Sequence, residues 1–155
     1  MSKGKVYIAG SLDPERRGCL KEIAKKLRSL MIDVYAPWEH EIEHAWDWPN
    51  DEWGLMVFEN DIAAIREADW VVVLSYGRVN TTAGTAWEQG FAFGIGKPIL
   101  LVEMTNDIQS LMVANGRYAT IKWENGNVAD LIADYLTDVF CGLKPLQLRT
   151  NTEQK

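Results

Sequence analysis

Two kinds of pattern alternate along the chain. Short apolar runs with the length of strands occur at KVYIA (5–9), IDVYAP (32–37), WVVVL (70–74), PILLV (98–102) and ATIKW (119–123). Between them the apolar positions change to helical spacing. Ser11–Asp13 followed by Pro14 reads as a helix start, and Leu20, Ile23, Ala24, Leu27, Leu30 and Met31 then mark one face. A second helix is expected from about Asp51 to Ala68, and a third over GTAWEQGFAFGIG (84–96). A short one is expected over Asp107–Asn115, and a last amphipathic one over Val128–Phe140.

Strands of four to six residues separated by helices imply parallel pairing through right-handed crossovers. The expected fold is therefore α/β: one doubly wound, five-stranded parallel sheet with helices on both faces. In such sheets ligands sit beyond the carboxyl ends of the strands, where the strand order reverses. The loops after Ala9, Tyr35, Leu74 and Val102 become the places to search. Residues 38–53 form a long, irregular connection with four tryptophans, Trp38, Trp46, Trp48 and Trp53, a kind of segment that often serves function.

Two carboxylates fall where apolar residues belong. On the helix before WVVVL, Asp61 shares a stripe with Val57, Ala64, Ile65 and Ala68, whereas Glu59, Arg66 and Glu67 point elsewhere. On the next helix, Glu88 shares a face with Phe91, Ala92 and Ile95. A carboxylate on a buried face is costly unless it is paired or used. Asp61 has a bland reading, as a residue bonded to a neighbouring loop. Glu88 has one too, because Thr85-Ala-Trp-Glu88 fits a helix capping box. Its position after a central strand favours chemistry instead, and a helix N-terminus there would favour the anionic form a nucleophile requires.

Composition narrows the alternatives. At 155 residues, 47% hydrophobic and 25% charged, the chain suits one globular domain, expected over 1–143 with a loose tail over 144–155. A net charge of -6 without a basic stripe argues against DNA or RNA as partner. No run is long enough for a membrane span, and MSKGKVYIAG passes into a strand without the features of a secretory signal. Cys19 and Cys141 have no metal-type spacing, so a cytoplasmic, reducing setting is expected. Gly10-Ser11 could offer backbone N–H groups to an anion. There is no GxGxxG, no Walker lysine and no GxSxG elbow, and no cofactor is expected. His40 and His44 lack a matching third ligand, which makes them loop histidines rather than a zinc pair.

VYIAGSL (6–12), ENDIAAIREADWVVVL (59–74), GTAWEQGFAFGIGKPILLV (84–102) and SLM (110–112) together resemble the nucleoside 2-deoxyribosyltransferases and the related nucleoside 5'-monophosphate N-glycosidases. The resemblance runs over roughly residues 5–123. It implies a flavodoxin-like fold and a covalent mechanism in which Glu88 attacks the anomeric carbon. Tyr7 matches the residue that orients that glutamate, and Asp61 the acid near the departing base. Gly10, Ser11, Thr82, Gly84, Ser110 and Met112 match substrate-contacting positions, and Trp38 or Trp53 of the long connection is a candidate to stack on the base. The implied partners are nucleosides or nucleotides and free bases, with a homo-oligomer whose sites lie at subunit interfaces.

The chain departs from the transferase pattern at the sugar's 5' end. Thr82 stands where those enzymes carry an Asp, and Ser110 where they carry an Asn. Both changes remove groups from the 5' end of the sugar, one of them a negative charge that would repel a phosphate, whereas hydroxyls and backbone N–H groups would bind one. The expected activity is base exchange on 2'-deoxyribonucleosides or their 5'-monophosphates. The alternative is hydrolysis of (deoxy)nucleoside 5'-monophosphates on the same Glu88.

Overall fold

The computed structural model describes residues 2–40 and 45–142. His44 and the tail over 144–155 lie outside the described residues. Five strands form one parallel sheet: β1 (Lys5–Ala9), β2 (Asp33–Tyr35), β3 (Trp70–Ser75), β4 (Ile99–Glu103) and β5 (Ala119–Lys122). Their spatial order is β2-β1-β3-β4-β5. The chain winds outward in one direction from β1 and in the other from β3, so the order reverses between these two strands. The expected doubly wound architecture is the observed one.

Alternation along the strands sends successive side chains to two separate cores. Val6, Ile8, Trp70, Val72 and Leu74 face one way, onto α1 (Pro14–Ser29) and α5 (Val128–Phe140). Tyr7, Ala9, Val71 and Val73 face the other, with Ala64 and Ile65 of α2 (Asn50–Glu67) and Ala92 of α3 (Ala83–Gly94). β3 is buried along its whole length because both faces are covered. α1 begins as the sequence suggests, with Pro14 at its first turn and Asp13 accepting a hydrogen bond from the Glu15 amide.

Three boundaries differ from the sequence reading. β2 is only three residues long, because Pro37 opens a 3-10 turn (Pro37–Glu39) immediately beyond it. The long connection ends at Pro49, which caps α2. The short helix α4 covers only Leu111–Asn115, not Asp107–Asn115. Its expected first turn is diverted to hold the loop after β3: the Ile108 carbonyl accepts the Arg78 amide at 2.8 Å. Gly77 makes this approach possible. It sits at φ +89°, and a Cβ there would lie 2.6 Å from Cβ of Asp107.

Candidate active site

β1 supplies the floor of the site. Tyr7 is its middle residue, fully buried on the α2/α3 face, and its hydroxyl donates a hydrogen bond to the Glu88 carboxylate. Glu88 comes from α3, which follows the other strand of the switch point, β3. A contact between residues 81 positions apart thus spans the place where the strand order reverses. Asp61, from α2, is half-buried on the same side.

The capping-box reading of Glu88 does not hold. The N-cap of α3 is Thr82, whose hydroxyl accepts from the Thr85 amide at 3.3 Å and also bonds the Thr85 hydroxyl at 2.7 Å. α3 therefore starts at Ala83, and Glu88 stands six residues in. That is past the first turn, where the pull of the helix N-terminus has largely faded. What controls its charge is burial. Loss of hydration pushes the Glu88 carboxyl up to about 7, the nearby Asp61 adds to the rise, and the Tyr7 hydrogen bond opposes it. Burial also raises the Asp61 carboxyl, against the lowering effects of Tyr35 and His40. The Tyr7 hydroxyl is held well above its ordinary range by burial and by Glu88, so it remains a donor at all physiological pH.

A second tyrosine, which the sequence reading used only as the end of a strand, completes this arrangement. Tyr35 of β2 pairs in register with Tyr7, and the two rings stack 5.5 Å apart at 10°. Its hydroxyl donates to Asp61 Oδ1 at 3.2 Å. His40 stacks on the Tyr35 ring, 4.2 Å away and nearly parallel at 2°. Burial and Asp61 push the Tyr35 hydroxyl up to about 12.

Both carboxylates border a half-open cleft of about 340 Å³, lined by Phe58, Asp61, Ile62, Ile65, Gly84, Trp87 and Glu88. Its walls are apolar, with Phe58 and Trp87 5.3 Å apart and Trp87 in turn stacked on Phe91. Of the sequence candidates, Gly84 reaches this cleft. Trp38 packs instead against the core on the α1/α5 face, and Trp53 is 39% exposed on α2. The aromatic residues that line the cleft beside the carboxylates are Phe58 and Trp87. Spacing could have flagged them, since Phe58 lies one turn before Asp61 and Trp87 adjoins Glu88.

Thr82 and Ser110 meet at a second cavity of about 320 Å³, which Ser75, Arg78, Thr81 and Gln109 also line. Ser75 bonds both Thr81, at 3.1 Å, and the Gln109 side-chain carbonyl. The Gln109 amide nitrogen is buried without a hydrogen-bond partner among the described residues. Gly10 and Ser11 follow β1. Ser11 is buried, and its hydroxyl accepts from the Asp13 amide at 3.2 Å. Met112 is 83% exposed and borders an apolar groove beside α3 with Gln89, Phe93 and Ser110. Among the described residues, no group of three or more His, Cys, Asp or Glu could hold a metal ion. None of their helices is long and apolar enough to cross a membrane.

A doubly wound parallel sheet with a buried, tyrosine-bonded carboxylate at its switch point defines the class: an α/β protein that binds small molecules. Its family follows from the sequence profile of the nucleoside 2-deoxyribosyltransferases, which matches residues 6–139. The chain belongs to that family. Among solved structures it is similar to a 2-deoxyribosyltransferase of Bacillus psychrosaccharolyticus, with 25% identity, a TM-score of 0.74, and coverage of 94% of this chain and 99% of that one. The CMP N-glycosidase BcmB of Clostridium botulinum shares the fold at 16% identity and a TM-score of 0.57, covering 86% of this chain and 98% of that one. A 2-desoxiribosyltransferase of Leishmania mexicana does so at 17% and 0.52, covering 84% and 85%. No curated protein matches the chain.

Proposed function

We propose that this protein exchanges the base of 2'-deoxyribonucleosides through a covalent deoxyribosyl-Glu88 intermediate. One observation carries the reading: the Glu88 carboxylate is held by Tyr7 at the switch point, beside Asp61, in a cleft with aromatic walls. Breaking an N-glycosidic bond develops positive charge at C1', which a positioned carboxylate can trap. Glu88 forms a bond to C1' as the C1'–N bond breaks, and the departing base keeps the electron pair. A proton delivered from the side of Asp61 makes the base a better leaving group. A second base then attacks C1' and releases the carboxylate. Two displacements return the original configuration, and water in place of the base gives free sugar. Each step uses the carboxylates, a proton and the substrates, so no cofactor is invoked.

Burial serves this chemistry in two ways. It raises the basicity of the Glu88 carboxylate, and it keeps water scarce around the intermediate, which favours transfer. Phe58 and Trp87 offer flat apolar faces of the kind a nucleobase stacks on.

A second reading is favoured by the cavity that joins Thr82 to Ser110. Hydroxyls, an exposed Arg78 and an unpartnered Gln109 amide suit an anionic group better than the carboxylate of the usual transferase would. This supports 5'-monophosphates as substrates, with hydrolysis as the competing outcome. The domain proposed to carry this activity is residues 1–143, in a cytoplasmic setting where Cys19 and Cys141 remain free thiols. The protein is further proposed to be a homo-oligomer, supported by the exposed apolar surface of Phe93, Ile108, Leu111 and Met112.

The test is product analysis. A deoxynucleoside incubated with a different free base should give the second nucleoside, and Glu88→Ala should give none. Sugar without new nucleoside would replace transfer by hydrolysis, and full activity of Glu88→Ala would end both readings.

A further inference from the structure

The two carboxylates of the site are each held by a tyrosine, and the two tyrosines are stacked on each other. Tyr7 bonds Glu88 and Tyr35 bonds Asp61. The rings stack because Tyr7 and Tyr35 are register partners on adjacent parallel strands, so both point to the α2/α3 face at the same level of the sheet. His40 also stacks on Tyr35, so that Tyr35 makes near-parallel contacts with two rings.

We propose that Tyr35 is a positioning residue of the reaction, which fixes the orientation of Asp61 and, through its stacking with Tyr7 and His40, ties that orientation to the placement of Glu88. The proposal rests on the reaction assigned above and adds a residue to it. Asp61 lies on a helix, with a carboxylate free to turn about two side-chain torsions unless something holds it. The Tyr35 hydroxyl is a donor aimed at one of its oxygens, from a ring stacked with both Tyr7 and His40. A group that must meet the departing base within a few tenths of an ångström gains from such a fixed partner. β2 ends at Tyr35, so its backbone is held in register with Tyr7 while its hydroxyl bonds Asp61 of α2.

The groups facing Asp61 are Tyr35 on β2, Tyr7 on β1, Glu88 on α3 and His40 after the 3-10 turn. Tyr35→Phe removes only the hydroxyl and leaves the ring in the stack. The expected result is a fall in kcat of about tenfold, the size of one lost hydrogen bond to a charged group, with KM unchanged. In an Asp61→Asn background the same change should add much less, because Tyr35 works through Asp61. Tyr35→Leu, which also removes the stack, should lose more rate than Tyr35→Phe.

An independent readout needs no turnover. The carboxyl carbon of Asp61, followed by NMR, should titrate at higher pH in Tyr35→Phe, since a hydrogen bond that favours the charged form is gone. Wild-type kcat in Tyr35→Phe, or an equal loss in the Asp61→Asn background, would overturn the proposal. So would an unmoved Asp61 titration. Failure of the underlying reaction would show instead in the wild-type protein and in Glu88→Ala.

Discussion

Tyr7 on β1 and Glu88 on α3 are joined by a hydrogen bond across the switch point of the sheet. Neither residue is explained by its own element. A tyrosine that is completely buried in the middle of a strand needs a partner for its hydroxyl, and a glutamate on the inner face of a helix needs a partner for its charge. Each answers the other, and the carboxylate keeps an open side toward the cleft.

Removing that hydroxyl has a directional consequence. The Tyr7 hydrogen bond opposes the upward push of burial on Glu88. Tyr7→Phe should therefore lower kcat by roughly 10- to 100-fold, as expected for loss of a charge-assisted hydrogen bond, and should move the ionisation of Glu88 to higher pH. A rate profile that keeps its wild-type position would show that Tyr7 does not govern this carboxylate.

The pH dependence of the wild-type rate follows from the same group. In the proposed reaction Glu88 attacks only as the carboxylate, and its carboxyl is pushed up to about 7. The kcat/KM for a deoxynucleoside should rise with pH through about 7 and fall nearly tenfold for each pH unit below it. A profile that stays flat down to pH 5 would assign the nucleophile an ordinary, solvated carboxyl.

Stability should run the opposite way. The ordinary Glu value is 4.5 and the folded value about 7, so between them the native state holds the proton more tightly than the unfolded chain does. Stability contributed by neutral Glu88 is present below about 4.5 and is lost as pH rises through about 7. Glu88→Gln keeps an acceptor for Tyr7 and removes the titration. It should be more stable than wild type above pH 7, by up to a few kcal/mol, about 3 for a shift of this extent, with the gap closing below pH 4.5. Denaturant midpoints at several pH values check this, and a constant gap would contradict it.

The 5' end of the sugar is tested at Thr82. Thr82→Asp restores the residue type that transferases of free nucleosides carry, and it places a negative charge in the cavity shared with Ser110. Preference for deoxynucleoside 5'-monophosphates over nucleosides should fall about tenfold or more, as one like-charge contact in a half-buried site costs on the order of 1–2 kcal/mol. Comparing kcat/KM for the paired donors measures it, and an unchanged ratio would place the phosphate elsewhere.

Phe58 and Trp87 carry the corresponding expectation for the base. Phe58→Ala should raise the donor KM about fivefold to tenfold, because a lost stacking face is worth about 1 kcal/mol, with little change in melting temperature at a residue 47% exposed. The fluorescence of Trp87 should be quenched by a saturating free base. Trp38→Phe should leave both readings unchanged, since Trp38 packs on the other face of the sheet.

The amino-acid pattern by itself determined the class of fold. Runs such as WVVVL and the helical spacing of Val128–Phe140 are local, because a strand or helix face is defined by neighbours within a few positions. Asp61 and Glu88 were legible for the same reason, as charges that break an apolar face. What only the tertiary structure decided were the partners. Thr82 and Thr85 both satisfy local capping rules, and three-dimensional geometry chose Thr82, which freed Glu88 to meet Tyr7. Tyr35 looked like the end of a strand until parallel register placed it against Tyr7 and within reach of Asp61. Trp38 and Trp87 lie on opposite faces of the sheet, Trp38 against the α1/α5 core and Trp87 along the cleft beside Glu88, a difference that local spacing does not carry. Contacts between residues 26 and 81 positions apart leave no periodic trace in a single sequence, since they arise when separate elements are laid over one sheet.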